Sequence, residues 1–210
     1  MSRDRAPVAI MAACWADGHV IDNPGLGVLA DLLAAEVALT LERVELLDRL
    51  ELVARTDELT GLPNRRAWQE ALPRELALSH RSGSPLCVAM LDLDRFKLYN
   101  DLRGHQAGDR LLKQVAGAWS SELRGTDILA RYGGEEFALL LPMCDIEQAQ
   151  TITERLRSVI PIDQTASAGL ACWDRSETAG ELVERADRAL YEAKRSGRDR
   201  AVQASSLQAG

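Results

Sequence analysis

Two carboxylates spaced two residues apart are the first side chains in this sequence whose placement fits a chemical role. Asp92 and Asp94 follow the apolar run 86–91, which predicts a buried strand ending at the pair. Because side chains alternate along a strand, both carboxylates are expected on one face. Mg²⁺ takes one or two protein carboxylates and completes its shell with phosphate and water oxygens. The pattern therefore indicates a metal site, with a turn or capping role as the alternative.

A second acidic pair follows two glycines. Gly133 and Gly134 separate two apolar segments, and Glu135 and Glu136 come directly after them. Two glycines between such segments predict a tight two-residue hairpin, and they let a ligand approach the backbone closely. Adjacent carboxylates repel each other, and a bound cation relieves that repulsion. The hairpin is thus a second candidate for cation binding, and a solvated hairpin end is the alternative.

Basic and amide groups that suit a phosphorylated ligand lie near these carboxylates in the sequence. Lys97 follows the aspartate pair, and Lys194 and Arg198 end the last predicted helix, where compensation of the helix dipole is the simpler reading. Asn100 and Asp109 offer hydrogen-bonding groups for the edge of a base. The sequence carries no Cys/His or Ser/His/Asp signature, so nucleophilic side-chain catalysis has no support.

The apolar periodicity predicts the elements that must position these groups. Their order mixes hairpin and crossover connections, which favours a mixed sheet with helices on one or both faces. Helices are expected over 28–55, 65–79, 108–121, 146–160 and 180–195, and strands over 8–15, 86–92, 128–132, 135–141 and 165–172.

The predicted helix 28–55 has no Gly or Pro in its interior and would be roughly 42 Å long at about 1.5 Å per residue. One interpretation is a core helix. The other is a signalling helix that pairs with itself in a dimer, although Glu36, Thr40 and Glu51 interrupt a strict heptad.

The composition argues against two classes of protein, those that bind nucleic acid and those that span a membrane. Among 210 residues, 25 Lys and Arg stand against 32 Asp and Glu, and the net charge of −7 argues against a nucleic-acid groove. No apolar run approaches the roughly 20 residues of a membrane span, so no membrane partner is expected. Widely spaced cysteines in apolar surroundings predict buried free thiols and a reducing, cytoplasmic location. These are Cys14, Cys87, Cys144 and Cys172.

Five segments match, in order, the pattern of the GGDEF family of diguanylate cyclases, which this chain resembles over residues 56–202. The resemblance implies a palm-like α/β (α+β) sandwich similar to nucleotidyl cyclases and polymerases, with a central mixed sheet flanked by helices. It also implies condensation of two GTP into cyclic di-GMP and two pyrophosphates. The segments are DELTGLPNRR (57–66), DLDRFKLYND (92–101), GHQAGD (104–109), RYGGEEF (131–137) and ADRALYEAKRSGRDR (186–200).

The resemblance also implies roles for individual residues. Mg²⁺, with Mn²⁺ as an alternative, would be held by Asp92, Glu135 and the carbonyl of Leu93, and Glu135 would help activate the attacking 3′-hydroxyl. Glu136 and Lys194 complete the implied catalytic group. GTP would contact Leu59, Phe96, Lys97, Asn100, Asp109, Leu112, Gly133, Gly134, Lys194 and Arg198.

An R-x-x-D pattern at residues 124–127 directly precedes the predicted strand 128–132. In the family this is the inhibitory product site, and the resemblance implies that Arg124, Asp127 and Arg155 bind cyclic di-GMP. A surface salt bridge is the alternative. The resemblance further implies a homodimer in which two GTP-loaded sites face each other.

The expected organisation is a partial sensor of GAF type over 1–27, the signalling helix over 28–55, the GGDEF domain over 56–202 and a tail over 203–210. The connection 160–165 is short for the family, so a peripheral hairpin is expected to be missing. Two rival functions stay open. One is a catalytically silent GGDEF module that acts as a receptor for GTP or cyclic di-GMP, and the other is a coiled-coil adaptor.

Overall fold

The computed structural model describes residues 24–162 and 164–205. The chain divides into two compact units, residues 1–54 and 55–210. The predicted strand 8–15 lies outside the described residues. The helices are α1 Pro24–Arg55, α2 Arg65–Ser82, α3 Phe96–Arg103, α4 His105–Ser121, α5 Ile146–Ser158 and α6 Ala179–Arg195, and the strands are β1 Leu86–Leu93, β2 Ile128–Arg131, β3 Glu136–Pro142, β4 Ala166–Cys172 and β5 Ala201–Gln203.

The described strands form one five-stranded sheet in the order β2-β3-β1-β4-β5. Strand β1 is antiparallel to both β3 and β4, whereas β4 and β5 are parallel. All eight residues of β1 are buried, as its continuous apolar run requires of a central strand. The predicted mixed sheet flanked by helices is confirmed.

The alternation of side chains along β1 separates two apolar cores. Its odd-numbered residues pack with Trp119 and Leu156, on the side of α3, α4 and α5. Its even-numbered residues pack with Trp68 and Leu182, on the side of α2 and α6. Asp92 has an even number, so its carboxylate is directed to the α6 side of the sheet.

Close contact between α6 and the sheet depends on Gly169 in β4. A Cβ atom there would lie 2.1 Å from the backbone nitrogen of Leu190 and 2.2 Å from the carbonyl oxygen of Ala186. Because backbone cannot yield to such a clash, only glycine allows α6 to approach the strand this closely. This packing sets the distance between α6 and the end of β1.

Helix α1 has large apolar side chains that are exposed in the described part of the chain. Val28 and Leu32 are 61% and 63% exposed, and Leu46 is 58% exposed. An interpretation of α1 as a core helix is therefore not supported by the residues described. No helix among the described residues combines the length and the apolar character that crossing a membrane requires.

Three local expectations are wrong. Helix α3 was not expected, because its eight residues are too few to establish a helical period. Residues 132–135 form a four-residue connection between β2 and β3, and neither Gly133 nor Gly134 has the positive φ of a tight two-residue hairpin. Strand β5 pairs with β4 from a segment expected to run into a tail.

The prediction of free thiols is wrong for two of the cysteines. Cys87 and Cys172 lie opposite each other in the register of β1 and β4 and are joined by a disulfide. Cys144 is free and buried. Because 85 residues separate the bonded pair in the sequence, only the strand register reveals their proximity.

Candidate active site

The two acidic segments lie side by side at one edge of the sheet. In the antiparallel register, Asp92 of β1 is paired with Glu136 of β3. The backbone N–H of Leu93 donates a hydrogen bond to the carbonyl oxygen of Glu135 over 3.3 Å. Strand pairing thus brings the Asp92–Leu93 and Glu135–Glu136 segments together, although about 40 residues separate them in the sequence.

Lys194 is the basic partner of Asp92. Its Nζ lies 2.7 Å from the Asp92 Oδ2 atom, and the carboxylate side chain is only 11% exposed. Burial raises the pKa of Asp92, the hydrogen bond from Lys194 opposes this, and the negative charges of Glu135 and Glu136 raise it further. One ammonium group therefore does not balance the negative charge gathered here.

The donor set fits a hard divalent cation. Asp92, Glu135 and the Leu93 carbonyl supply oxygen atoms, which are the ligands that Mg²⁺ and Mn²⁺ accept. In residues 24–162 and 164–205, no group of three or more His, Cys, Asp or Glu side chains is placed to hold a metal unaided. Mg²⁺ takes few protein ligands and completes its shell with phosphates and water. The unbalanced charge around Asp92 is what a cation would relieve.

Asp94 does not act as a pair with Asp92. Its carboxylate accepts hydrogen bonds from the Thr165 and Ser167 hydroxyls, each over 2.7 Å, and from the backbone N–H of Asp199 over 3.0 Å. Asp94 is 5% exposed. Because three donors already bind the Asp94 carboxylate, this residue fits the turn or capping role that was the alternative to a metal site.

Arg131 holds the hairpin that carries the glutamates. Its guanidinium donates to the carbonyl oxygen of Gly134 from Nε over 3.1 Å and from Nη2 over 2.7 Å. Its Nη1 atom lies 3.1 Å from each carboxylate oxygen of Asp57. A Cβ atom on Gly133 would lie 2.4 Å from Glu136 Oε2. The hairpin is thus fixed by one arginine and by the absence of a side chain at Gly133.

Asp57 connects this hairpin to the segment that follows α1. It also accepts hydrogen bonds from the backbone N–H and the hydroxyl of Thr60, over 2.8 and 2.7 Å. Burial opposes its ionisation, but the hydrogen bonds from Thr60 and Arg131 outweigh burial and hold the pKa of Asp57 below its usual range. Sequence reasoning did not single out Asp57 or Arg131, although both lie in the segments that carried the family resemblance.

An unsatisfied acceptor marks the predicted base-binding residues. Among the described atoms, the buried Oδ1 of Asn100 has no hydrogen-bond partner. A Cβ atom at Gly108 would lie 1.9 Å from that oxygen, so glycine at this position allows the Asn100 amide to pack against α4. Guanine carries N–H donors that match such an acceptor. Asp109 is exposed beside Gly108, and Leu112, Phe96 and Leu59 line the adjoining core.

The residues predicted to contact phosphate are less restrained than the acidic residues of the site. Helix α3 begins after Arg95, which has a φ of 54° and gives no side-chain cap, so N–H groups of its first turn are open to an anion. Lys97 lies in that turn and is exposed. Arg198 is exposed in the loop after α6, four residues beyond Lys194. Of these three cations, Lys194 contacts the Asp92 carboxylate directly.

The predicted product-binding residues lie at the other end of β2. The Arg124 N–H donates to Asp127 Oδ2 over 2.9 Å, and the Asp127 N–H donates to the Arg124 carbonyl over 3.0 Å. Arg155 of α5 forms an ion pair with Glu122 over 3.0 Å and donates to its carbonyl. The two segments therefore meet, and the guanidinium group of Arg124 is exposed.

Comparisons with known proteins agree with this arrangement. The family described as "Diguanylate cyclase, GGDEF domain" matches residues 54–200. Diguanylate cyclase DgcP of Pseudomonas aeruginosa is 48% identical over 157 residues, covering 70% of this chain and 23% of DgcP. Cyclic di-GMP phosphodiesterase NbdA of the same species is 38% identical over 162 residues, covering 72% of this chain and 21% of NbdA. The chain thus spans less than a quarter of either relative.

Solved structures share the fold. The coiled coil and GGDEF domain of DgcB from Caulobacter crescentus, in complex with c-di-GMP, gives a TM-score of 0.79 at 34% identity and covers 84% of this chain and 99% of that chain. The active GGEEF domain of a diguanylate cyclase from Vibrio cholerae gives 0.64 at 30% identity, over 68% and 97% of the two chains.

Proposed function

The chain belongs to the GGDEF domain family of diguanylate cyclases, and on that premise we propose that it condenses two GTP molecules into cyclic di-GMP and two pyrophosphates. The observation that carries the proposal is the meeting of Asp92, Lys194 and the Glu135–Glu136 hairpin at one sheet edge. Cytoplasmic GTP is the substrate, so we place the reaction in the cytoplasm.

Asp92, Glu135 and the Leu93 carbonyl would hold Mg²⁺, or Mn²⁺ in its place, with Glu136 beside them. When bound, the cation polarises the α-phosphate and lowers the pKa of the attacking hydroxyl. Glu135 orients the 3′-hydroxyl and receives its proton. The 3′ oxygen then bonds to the α-phosphorus of the other GTP as the bond to pyrophosphate breaks.

The nucleotide is held at both ends. Asn100 and Asp109 bind the guanine edge, with Leu59 and Leu112 packed near it. Phe96, Lys97, Lys194 and Arg198 bind the triphosphate, and the cations among them neutralise charge that develops on the leaving group. Gly134 leaves open space where a side chain would otherwise obstruct the phosphates.

Each site holds one GTP, so the reaction needs two copies of the chain with their nucleotides antiparallel. The exposed apolar side chains of α1 support pairing of this helix with its counterpart. In this proposal residues 28–55 form a signalling helix that changes how often the two sites meet, residues 1–27 are part of a sensor, and residues 56–202 form the cyclase domain.

Product feedback is the second part of the proposal. Arg124, Asp127 and Arg155 bind cyclic di-GMP at the turn before β2, where an exposed guanidinium suits bidentate contacts to phosphate and guanine. Binding there would reduce turnover by changing how the two copies meet.

The test is incubation of the purified chain with GTP and Mg²⁺ at several protein concentrations, with detection of cyclic di-GMP and pyrophosphate. Product should rise faster than linearly with protein concentration and disappear with Glu135→Ala. The matched control is Glu147→Ala, which removes an exposed glutamate of α5 and should leave the rate unchanged. GTP binding without any product would favour a silent receptor, and no GTP binding would favour an adaptor.

A further inference from the structure

The loop after α6 has an unusual backbone. Gly197, Arg198 and Asp199 have φ values of 121°, 62° and 48°. Residues with side chains rarely adopt this region, so the two non-glycine residues stay there only if their surroundings hold them. Because Arg198 lies in the middle of this run, the contacts that hold the loop also set the position from which its side chain extends.

The carboxylate of Asp94 is the central attachment of this loop. Oδ2 accepts the Asp199 N–H over 3.0 Å and the Thr165 hydroxyl over 2.7 Å, and Oδ1 accepts the Ser167 hydroxyl over 2.7 Å. The N–H of Asp94 donates to the Thr165 carbonyl over 2.9 Å. Asp94 thus ties the end of β1, the start of β4 and the loop after α6 to one buried group.

A second attachment restrains the same loop from its solvent side. The side chain of Asp199 forms an ion pair with Arg157 of α5, and Arg157 Nε donates to the Ala166 carbonyl over 2.9 Å. The N–H of Arg198 donates to the Ala193 carbonyl over 3.0 Å. These attachments lead to the sheet edge, to α5 and to α6, and the guanidinium of Arg198 is left exposed.

We propose that Asp94 is a positioning residue for the triphosphate: it holds the loop so that Arg198 reaches the phosphates beside Lys194. The inference rests on the proposed function, because Arg198 has its phosphate role there. Asp94 acts through Arg198 and does not touch GTP or the cation, since its acceptor atoms are used by three protein donors. It is therefore expected to govern phosphate affinity and not recognition of the base.

The first test compares the binding of two ligands to the full chain by calorimetry. One ligand is a GTP analogue with a non-cleavable α,β bond, with Mg²⁺, and the other is GMP. Asp94→Asn replaces one acceptor oxygen by an amide that cannot accept, so the Kd of the analogue should rise about tenfold, as expected for a lost charged hydrogen bond. The Kd of GMP should stay within about twofold. An equal loss for both ligands would overturn the inference.

The second test asks whether the effect passes through Arg198. In an Arg198→Ala background, Asp94→Asn should add almost no further loss of analogue affinity, because the group that Asp94 positions is already gone. A loss of the same size in both backgrounds would contradict a positioning role. This comparison separates positioning from a general weakening of the fold, which would add to any other change.

Matched serine variants serve as controls. Ser167→Ala removes one donor to Asp94 and should raise the Kd of the analogue. Ser79→Ala removes another buried hydroxyl, which donates to the Ser84 carbonyl over 2.6 Å. This variant should leave the Kd of the analogue unchanged. Equal effects of the two would count against the inference. If Asp94→Asn does not fold, Thr165→Val removes another donor at similar volume and is judged by the same ratio of analogue to GMP affinity.

Binding is measured apart from turnover, so the two proposals fail differently. A wild-type chain that binds the analogue but makes no cyclic di-GMP would overturn the proposed cyclase, and the affinity ratios would still decide the role of Asp94. A wild-type chain that makes cyclic di-GMP while Asp94→Asn leaves the analogue Kd and the KM for GTP unchanged would overturn only the positioning role.

Discussion

The two ends of the short strand β2 are built in opposite ways. At one end, Arg131 binds Asp57 and the Gly134 carbonyl and so joins the hairpin to the segment after α1. At the other end, Arg124 and Asp127 close their own turn with two local hydrogen bonds, and the Arg124 guanidinium is exposed. One end is held in place by distant residues, whereas the other keeps its charged group free.

This difference suits two tasks. Catalysis needs reacting groups fixed before the substrate arrives, since small errors in their placement are costly in rate. Capture of a ligand by a regulatory site needs accessible charge more than rigidity, because an exposed arginine fork can adapt to phosphate or guanine. Under the proposed function, β2 carries a restrained catalytic end and an open product-binding end.

The largest effect is expected from Asp92→Asn at the catalytic end. Loss of a metal-binding carboxylate should lower turnover by about a hundredfold or more. The free energy of unfolding of the variant relative to wild type should rise from acidic to neutral pH, because burial raises the pKa of Asp92 and disfavours its ionised form. Rates of cyclic di-GMP formation and urea unfolding curves test both statements.

The raised pKa of Asp92 fixes the direction in which its contribution to stability changes with pH. With a folded-state pKa above 3.8, the contribution of Asp92 to stability is fully present below that value and is lost as the pH rises through the folded pKa. The stability difference between Asp92→Asn and wild type should therefore grow in favour of the variant from acidic to neutral pH. A stability difference that stays the same between acidic and neutral pH would contradict this account.

A smaller effect is expected from Arg131→Lys. Lysine lacks the planar fork that reaches Asp57 and Gly134 together, so the hairpin loses part of its support. Turnover should fall about tenfold and the free energy of unfolding by about 1–3 kcal/mol. Arg124→Lys makes the same change at the open end of β2 and should cost less than about 0.5 kcal/mol. Equal losses in the free energy of unfolding for Arg131→Lys and Arg124→Lys would contradict the difference between the two ends of β2.

Asp57→Asn tests the same support through pH. Because hydrogen bonds from Thr60 and Arg131 hold the pKa of Asp57 below 3.8, its stabilising contribution is present above that value and is lost as the pH falls through the folded pKa. The side chain of Asp57 is partly exposed, so the contribution should be under about 1 kcal/mol. Wild type should lose stability with acid more steeply than the variant, and parallel acid unfolding curves would contradict this.

The smallest effect on the uninhibited reaction is expected from Arg124→Ala. The variant should keep its initial rate within about twofold, since Arg124 makes only local contacts. Inhibition by added cyclic di-GMP should weaken by about tenfold or more, as for loss of a bidentate arginine. Initial rates at increasing product concentration provide the measurement. Unchanged inhibition would show that the turn is no product site.

The sequence predicted the central strand and its neighbours well, because β1 is a continuous apolar run and the glutamates directly follow the two glycines. The strand register then brings together Asp92 and Glu136, as the predicted site requires. Helix α3 was not predicted because it has only eight residues. Strand β5 escaped because three residues give no reliable period.

The role of Asp94 was not accessible from the sequence, since its three partners lie 71, 73 and 105 residues away. Local spacing describes a strand end, but only the packing of β4 and the loop after α6 shows which carboxylate is already occupied. The pairing of Cys87 with Cys172 across β1 and β4 could not be predicted from local spacing for the same reason. Long-range partners are the part of this site that spacing alone does not predict.

The most direct test of the account is a mixing experiment at fixed total protein concentration, with saturating GTP and Mg²⁺. Wild type and Glu135→Ala are combined while dilute, concentrated together, and assayed for cyclic di-GMP at several wild-type fractions. If two competent sites must meet, an equal mixture should give about one quarter of the wild-type rate, because both members of a symmetric pair must be competent. A rate of about one half would mean that each copy works alone and would contradict the proposed dimeric cyclase.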